Sequence, residues 1–229
     1  MPKSLRPRSA GKGRVAQGPK PQLAKPFADE IRRTARPGDQ DPAIARLARA
    51  ITLLERGDGG AAAREAEKAK ELAPRSSAVR EVLGMALYQQ ERWQEALTEL
   101  QAYRRLSGRP DQNHLIADTL RGLGRPGEVV PLAEEELRGS APNEAKAEAV
   151  IVAASALADQ GRWAEALAFL RRAKTREDVS EDYTLRLWYV RGDILERAGR
   201  TREAAEEFRK IMRHDPGAFD AAERLAQLG

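Results

Sequence analysis

Residues 80–100 read REVLGMALYQQERWQEALTEL, and their spacing decides the fold. The small Gly84 is followed three residues later by Leu87. Helical periodicity breaks at Glu91-Arg92, and a second helical run places Ala96 twelve residues after Gly84 and Leu100 four beyond that. Two antiparallel helices joined by a short turn touch most closely where only Gly or Ala fits, while larger residues beside the contact fill the remaining space. Gly84 and Ala96 are the expected contact, with Leu87 and Leu100 as the fillers.

The same arrangement recurs along the chain. Small residues at Ala50, Gly84, Ala117, Ala154 and Gly192 are each followed after three positions by Leu53, Leu87, Leu120, Leu157 and Leu195. Twelve positions after the small residues come Ala62, Ala96, Val129, Ala166 and Ala204, and four further on Ala66, Leu100, Ala133, Leu170 and Phe208. The connecting turns align as Arg-Gly-Asp-Gly at 56–59, Glu-Arg-Trp at 91–93, and Gly-Arg at 124–125, 161–162 and 199–200. Successive spacings between the first small residues are 34, 33, 37 and 38. Helix pairs at a near-constant period are the signature of a stacked repeat array.

These residues resemble the tetratricopeptide repeat, whose pattern has a small residue in each of two helices and a proline after the second. Leu83-Gly84 with Leu87, Ala96 and Leu100 is the best match, and Ala73-Pro74 and Asp215-Pro216 supply repeat-ending prolines. The resemblance implies an all-α, right-handed α-solenoid of five helix pairs spanning about 43–76, 77–109, 110–146, 147–184 and 185–218. A C-terminal capping helix follows at 218–228, with Phe219, Ala222, Leu225 and Leu228 on one face, because a terminal repeat otherwise exposes its core side. The longest connection is expected at Lys174 to Asp182. The usual aromatic at the head of the first helix survives only as Trp188, and Arg49 and Arg191 stand where an apolar residue is usual.

Composition agrees with helices. The chain is 41% hydrophobic, 5% aromatic and 33% charged, and its one β-like run, Ala149 to Ala154, lies inside a longer Ala-rich helical pattern. The absence of cysteine removes disulfides, thiolate metal sites and Cys nucleophiles, and suits a cytoplasmic protein. No apolar run approaches the ~18 residues of a membrane span, so no membrane partner is expected.

Charge divides the chain. Residues 1–38 hold ten Lys or Arg against Asp29 and Glu30, a net of +8, while the remainder is −3. Up to Pro26 this arm is rich in Pro and Gly and has little to bury, the composition of a disordered tail. Residues 26–35 then form a short helix, with proline at its first turn and arginines late. Lys3, Arg6, Arg8, Lys12, Arg14, Lys20 and Lys25 are candidates for sequence-tolerant phosphate contacts with RNA or the ribosome.

In the resembled family the inner faces of the first helices bind peptides. Counting along each helix places Ile44, Leu47, Ile51, Leu54 and Glu55 there, followed by Glu81, Met85, Tyr88, Asp111, His114, Asp118 and Arg121. Glu148, Ile151, Ser155, Asp159, Arg186, Tyr189, Asp193, Glu196 and Arg197 complete the set. Eight acidic residues against three arginines suit a basic or amphipathic protein segment. The lysines and asparagine with which chaperone-binding members hold a terminal carboxylate are missing from these positions. Asp111, His114 and Asp118 make a weak metal candidate, with one His and no second nearby. No cofactor, no metal and no catalytic residue are expected, because no nucleophile has a base beside it and neither Gly11-Lys12-Gly13 nor Gly57-Asp58-Gly59-Gly60 has the P-loop spacing. The reading is therefore a non-enzymatic adaptor, with RNA or ribosome association through the tail as the alternative, and self-association open if the arm docks on a second copy. Within one chain, Leu23 to Ile31 is expected to dock on Ile44, Leu47, Ile51 and Leu54, anchored by Phe27 and Ile31.

Overall fold

The computed structural model describes residues 23–173 and 182–228. Every regular element among them is helical. The chain divides into two compact units, Met1–Gly108 and Arg109–Gly229. The tail residues Lys3, Arg6, Arg8, Lys12, Arg14 and Lys20, and most of the 174–182 connection, lie outside the described residues.

In the first unit, α1 (Lys25–Thr34) precedes two hairpins, α2 (Gln40–Glu55) with α3 (Gly59–Leu72) and α4 (Ser77–Gln89) with α5 (Trp93–Ser107). Helix α3 also packs on α4, so consecutive hairpins share a core, and α1 lies on the two first helices α2 and α4. The second unit holds α6 (Asn113–Gly122) with α7 (Val129–Arg138), entered through a 3-10 turn at Pro126–Glu128. Next come α8 (Asn143–Asp159) with α9 (Trp163–Leu170), α10 (Asp182–Arg197) with α11 (Thr201–His214), and the C-terminal helix α12 (Ala221–Leu228).

The rows of small residues fall at the helix crossings. Ala50, Ala62, Ala96, Ala117, Val129, Ala154, Ala166 and Ala204 have no exposed surface. A Cβ added at Gly84 would lie 2.7 Å from Leu100 Cγ, and one at Gly192 2.8 Å from Phe208 Cε1, so at these two crossings the filler leaves no room for a side chain.

The leucine row has a second role. The carbonyls of Leu53, Leu87, Leu120, Leu157 and Leu195 accept hydrogen bonds from the N–H of Asp58, Arg92, Arg125, Arg162 and Arg200, at 2.8–3.1 Å. One residue earlier in each turn, the N–H groups of Gly57, Glu91, Gly124, Gly161 and Gly199 donate to the carbonyl three residues back. This doubled closure ends a helix on a left-handed residue. Four of the five are glycines at φ 73–76°, and Glu91 adopts φ 59° in the remaining turn. The next residue opens the second helix: Asp58 accepts from the N–H of Ala61 at 2.9 Å, while Arg92, Arg125, Arg162 and Arg200 form bidentate pairs with Glu95, Glu128, Glu165 and Glu203.

Helix α12 begins later than the periodicity suggests. Pro216-Gly217 breaks the chain, and Phe219 stands before the helix at φ 57°, its ring 4.7 Å from that of Tyr189. Ala222 is exposed, and Ala221, Arg224, Leu225 and Leu228 are the more covered positions. Leu225 and Leu228 thus lie on the covered face as expected, while Ala221 and Arg224 take the place of Ala222.

Candidate peptide-binding faces

The first-helix face of the first unit is apolar and occupied by the chain itself. Leu47 is fully buried, and Ile44, Ile51, Leu54 and Tyr88 are half-buried against the same cluster, which Ile31 of α1 enters with no exposed surface. Ala28 is the second buried residue of α1, whereas Phe27 is 39% exposed. The anchoring pair is Ala28 with Ile31, three apart, and Phe27 turns to solvent.

Polar contacts fix the helix further. Glu30 accepts from the Ser76 hydroxyl at 2.6 Å, from the Ser77 N–H at 2.6 Å and from the Ser77 hydroxyl at 3.2 Å. Ser76 is the N-cap of α4, and its hydroxyl oxygen also accepts from the Val79 N–H at 3.2 Å. The first N–H groups of a helix have no partner within it, and a carboxylate there satisfies both hydrogen bonding and the helix dipole. Just beyond α1 the Arg36 N–H reaches the Leu72 carbonyl at 3.4 Å. Glu81 and Met85 are partly buried on α4, and Lys25 is exposed at the start of α1.

In the second unit the predicted positions form a ladder of opposite charges. Arg121 bonds to Asp118 at 2.8 Å and reaches across to Asp159 at 3.1 Å. Asp159 also accepts from Arg197 at 3.1 Å, and Arg197 lies 3.5 Å from Asp193 and over the Trp163 ring. Arg224 of α12 completes the series, donating to Asp193 at 3.0 Å, to Glu196 at 2.7 Å and to the Tyr189 hydroxyl at 3.2 Å. Burial opposes the charge of Arg121 and of Arg224, but the carboxylates around each outweigh it and raise both pKa values. The Tyr189 hydroxyl donates to Asp220 at 2.7 Å, and burial, then that carboxylate, push its pKa up to about 12.

Glu148 pairs with Arg186 at 2.7 Å, and Asp111 pairs with Arg109. All six carboxylates expected on the first-helix face of this unit therefore have an arginine partner, and most of the anticipated acidic charge is compensated within the chain. Ile151 is buried, and Ser155 is half-buried beside it on α8. His114 turns toward α7. Its Nδ1 lies 3.0 Å from Glu136 and its backbone N–H donates to the same carboxylate at 2.7 Å. Burial pushes the Glu136 carboxyl above its ordinary value despite the pull of His114. Among the described residues no group of three or more His, Cys, Asp or Glu is placed to hold a metal ion.

Sequence periodicity missed the residues that govern both faces. Ser76-Ser77 after Pro74 carried an N-cap signal that pointed to a helix start but not to its occupant Glu30. Arg224 lies inside the expected capping helix, but the spacing of apolar residues does not single it out.

Hairpins crossing at small residues, with first helices that carry the contact-making side chains, define a helical-repeat interaction scaffold. The chain belongs to the tetratricopeptide repeat family, whose models match residues 47–110, 114–180 and 185–228. Its fold is that of a helical-repeat scaffold. No curated protein matches it. Among solved structures, YrrB, described as a TPR protein with an unusual peptide-binding site, is 19% identical over 88% of this chain and 98% of its own, with a TM-score of 0.54. TTC0263, a thermophilic TPR protein of Thermus thermophilus, is 17% identical over 83% of this chain and 98% of its own, with a TM-score of 0.64. The human IFIT1 dimer with m7Gppp-AAAA is 18% identical over 81% of this chain and 45% of its own, with a TM-score of 0.61. At these identities the likeness is one of fold.

Proposed function

We propose that the chain is a cytoplasmic adaptor that holds an amphipathic helical segment of a protein partner on the α2/α4 face. The observation that carries this reading is α1, a short amphipathic helix seated there with Ile31 wholly buried. Its seating follows the mode of recognition in which a helix lays its apolar side into a groove. A photo-crosslinking residue at Met85 in the full chain tests it. Crosslinks to a protein partner that persist after nuclease treatment, and are lost with Ile51→Asp, support the adaptor. Crosslinks insensitive to Ile51→Asp would remove this face from the account.

The +8 charge of residues 1–38 favours a second reading, in which the tail contacts RNA or the ribosome. YrrB is described by a peptide-binding site and IFIT1 was solved with m7Gppp-AAAA, so the fold is compatible with either ligand. Deletion of residues 1–22 discriminates: RNA association that is steeply salt-dependent and vanishes with the deletion supports the tail reading. Association that survives the deletion ends it.

A further inference from the structure

We infer that the α2/α4 face selects helices carrying an alanine followed two and three places later by glutamate and an aliphatic residue, and that α1 is its displaceable intramolecular occupant. This rests on the adaptor reading above and gives it a ligand chemistry, narrowing the basic or amphipathic segment expected from charge counting to an amphipathic one that presents a glutamate.

Three features of the seat specify that chemistry. The space beneath Ile31 is closed, since Ile31 has no exposed surface and lies in the cluster with Leu47 and Val79, so an aliphatic side chain fits and a charged one does not. Ala28 is also buried, three positions earlier on the same helical face, so a small apolar residue is seated there. Between them Glu30 receives three donors from Ser76 and Ser77. Ser76 is itself fully buried. Replacing the glutamate with a lysine would set a cation against these donors and against the positive end of the α4 dipole.

The occupant is narrowly held. Only Ala28 and Ile31 of the ten residues of α1 are buried, and the link to α2 contains Pro37-Gly38. A tether this short gives an effective concentration of order mM, enough to keep a weak ligand seated until a tighter helix of the same pattern competes.

The test uses the full chain and a fluorescent peptide of residues 23–36, read by anisotropy. The variant Glu30→Lys with Ile31→Asp vacates the seat, and it is expected to bind the peptide at least about tenfold more tightly than the wild-type chain. A peptide with Glu30→Lys should bind the vacated chain at least about tenfold more weakly, the loss of a charge-assisted contact. Equal binding by the wild-type and vacated chains overturns α1 as occupant. Equal affinity for both peptides overturns the glutamate preference while leaving the adaptor reading standing. No binding of either peptide overturns the seat altogether. Hydrogen exchange on the wild-type chain supplies a readout independent of the variant's folding: unlabelled peptide at mM concentration should speed exchange in residues 25–34, and unchanged exchange there refutes displacement.

Discussion

Gly84 faces Leu100 so closely that a methyl group at Gly84 would meet Leu100 Cγ at 2.7 Å and Cδ2 at 2.8 Å. Gly84→Leu should therefore destabilise by ~1–3 kcal/mol or more, the cost of overpacking a filled crossing. Gly84→Ala should cost less when combined with Leu100→Ala than the two single changes predict, because the second change removes the clash. Urea denaturation of the four proteins measures the coupling, and strict additivity would show that the two residues do not share the crossing.

Glu91 occupies the left-handed position that glycine fills in the other four hairpin turns. A β-carbon there costs ~1–2 kcal/mol in backbone strain, offset in part by the extra chain entropy that glycine loses. Glu91→Gly is expected to raise the melting temperature slightly. Gly161→Ala, at φ 73° in open space, should lower it by strain alone.

Arg224 gathers Asp193, Glu196, the Tyr189 hydroxyl and the Phe208 ring around one guanidinium. Arg224→Met keeps most of the packing and leaves two carboxylates without that partner, at ~1.5–3 kcal/mol for lost hydrogen bonds to charged groups. Amide exchange in residues 221–228 should accelerate more than in α11. Uniform acceleration would mean that α12 is held by its apolar residues instead.

Tyr189 supplies a titration. With its folded pKa raised to about 12, above the ordinary value of 10, its contribution to stability is complete below pH 10 and is lost as pH rises through about 12. The phenolate of Tyr189 should appear late in the ultraviolet titration, and Tyr189→Phe should remove that late component. A titration unaltered by the substitution would place the shift elsewhere.

Relations within one hairpin were legible from sequence, because spacing reports them: the Gly84–Leu100 contact is the small-residue row and the filler row in register. The leucine row was legible as packing, though its carbonyls also close the turns, which residue type does not reveal. Glu30 and Ser76 are 46 positions apart and meet only because α1 folds back over two first helices, so no periodicity encodes the pair. Phe219 was read into a helix because its apolar spacing suits one. Its backbone is instead left-handed at φ 57°, with the ring 4.7 Å from that of Tyr189, a contact that apolar spacing does not report.

The alternation Asp118, Arg121, Asp159, Arg197, Asp193, Arg224 also bears on how a chain of this kind changes in length. Asp159 is shared by arginines from the helices on either side, and Asp193 by Arg197 and Arg224, so each first helix presents to the next a charge that the neighbour must answer. Excising α8 and α9 would remove the Asp159 carboxylate that Arg121 and Arg197 share and leave each arginine only the acid of its own helix, Asp118 or Asp193. Copy number in this unit thus bears on sign as well as on shape: a second copy of α8 and α9 would set two Asp159 carboxylates side by side, so an insertion continues the ladder only if its charges alternate.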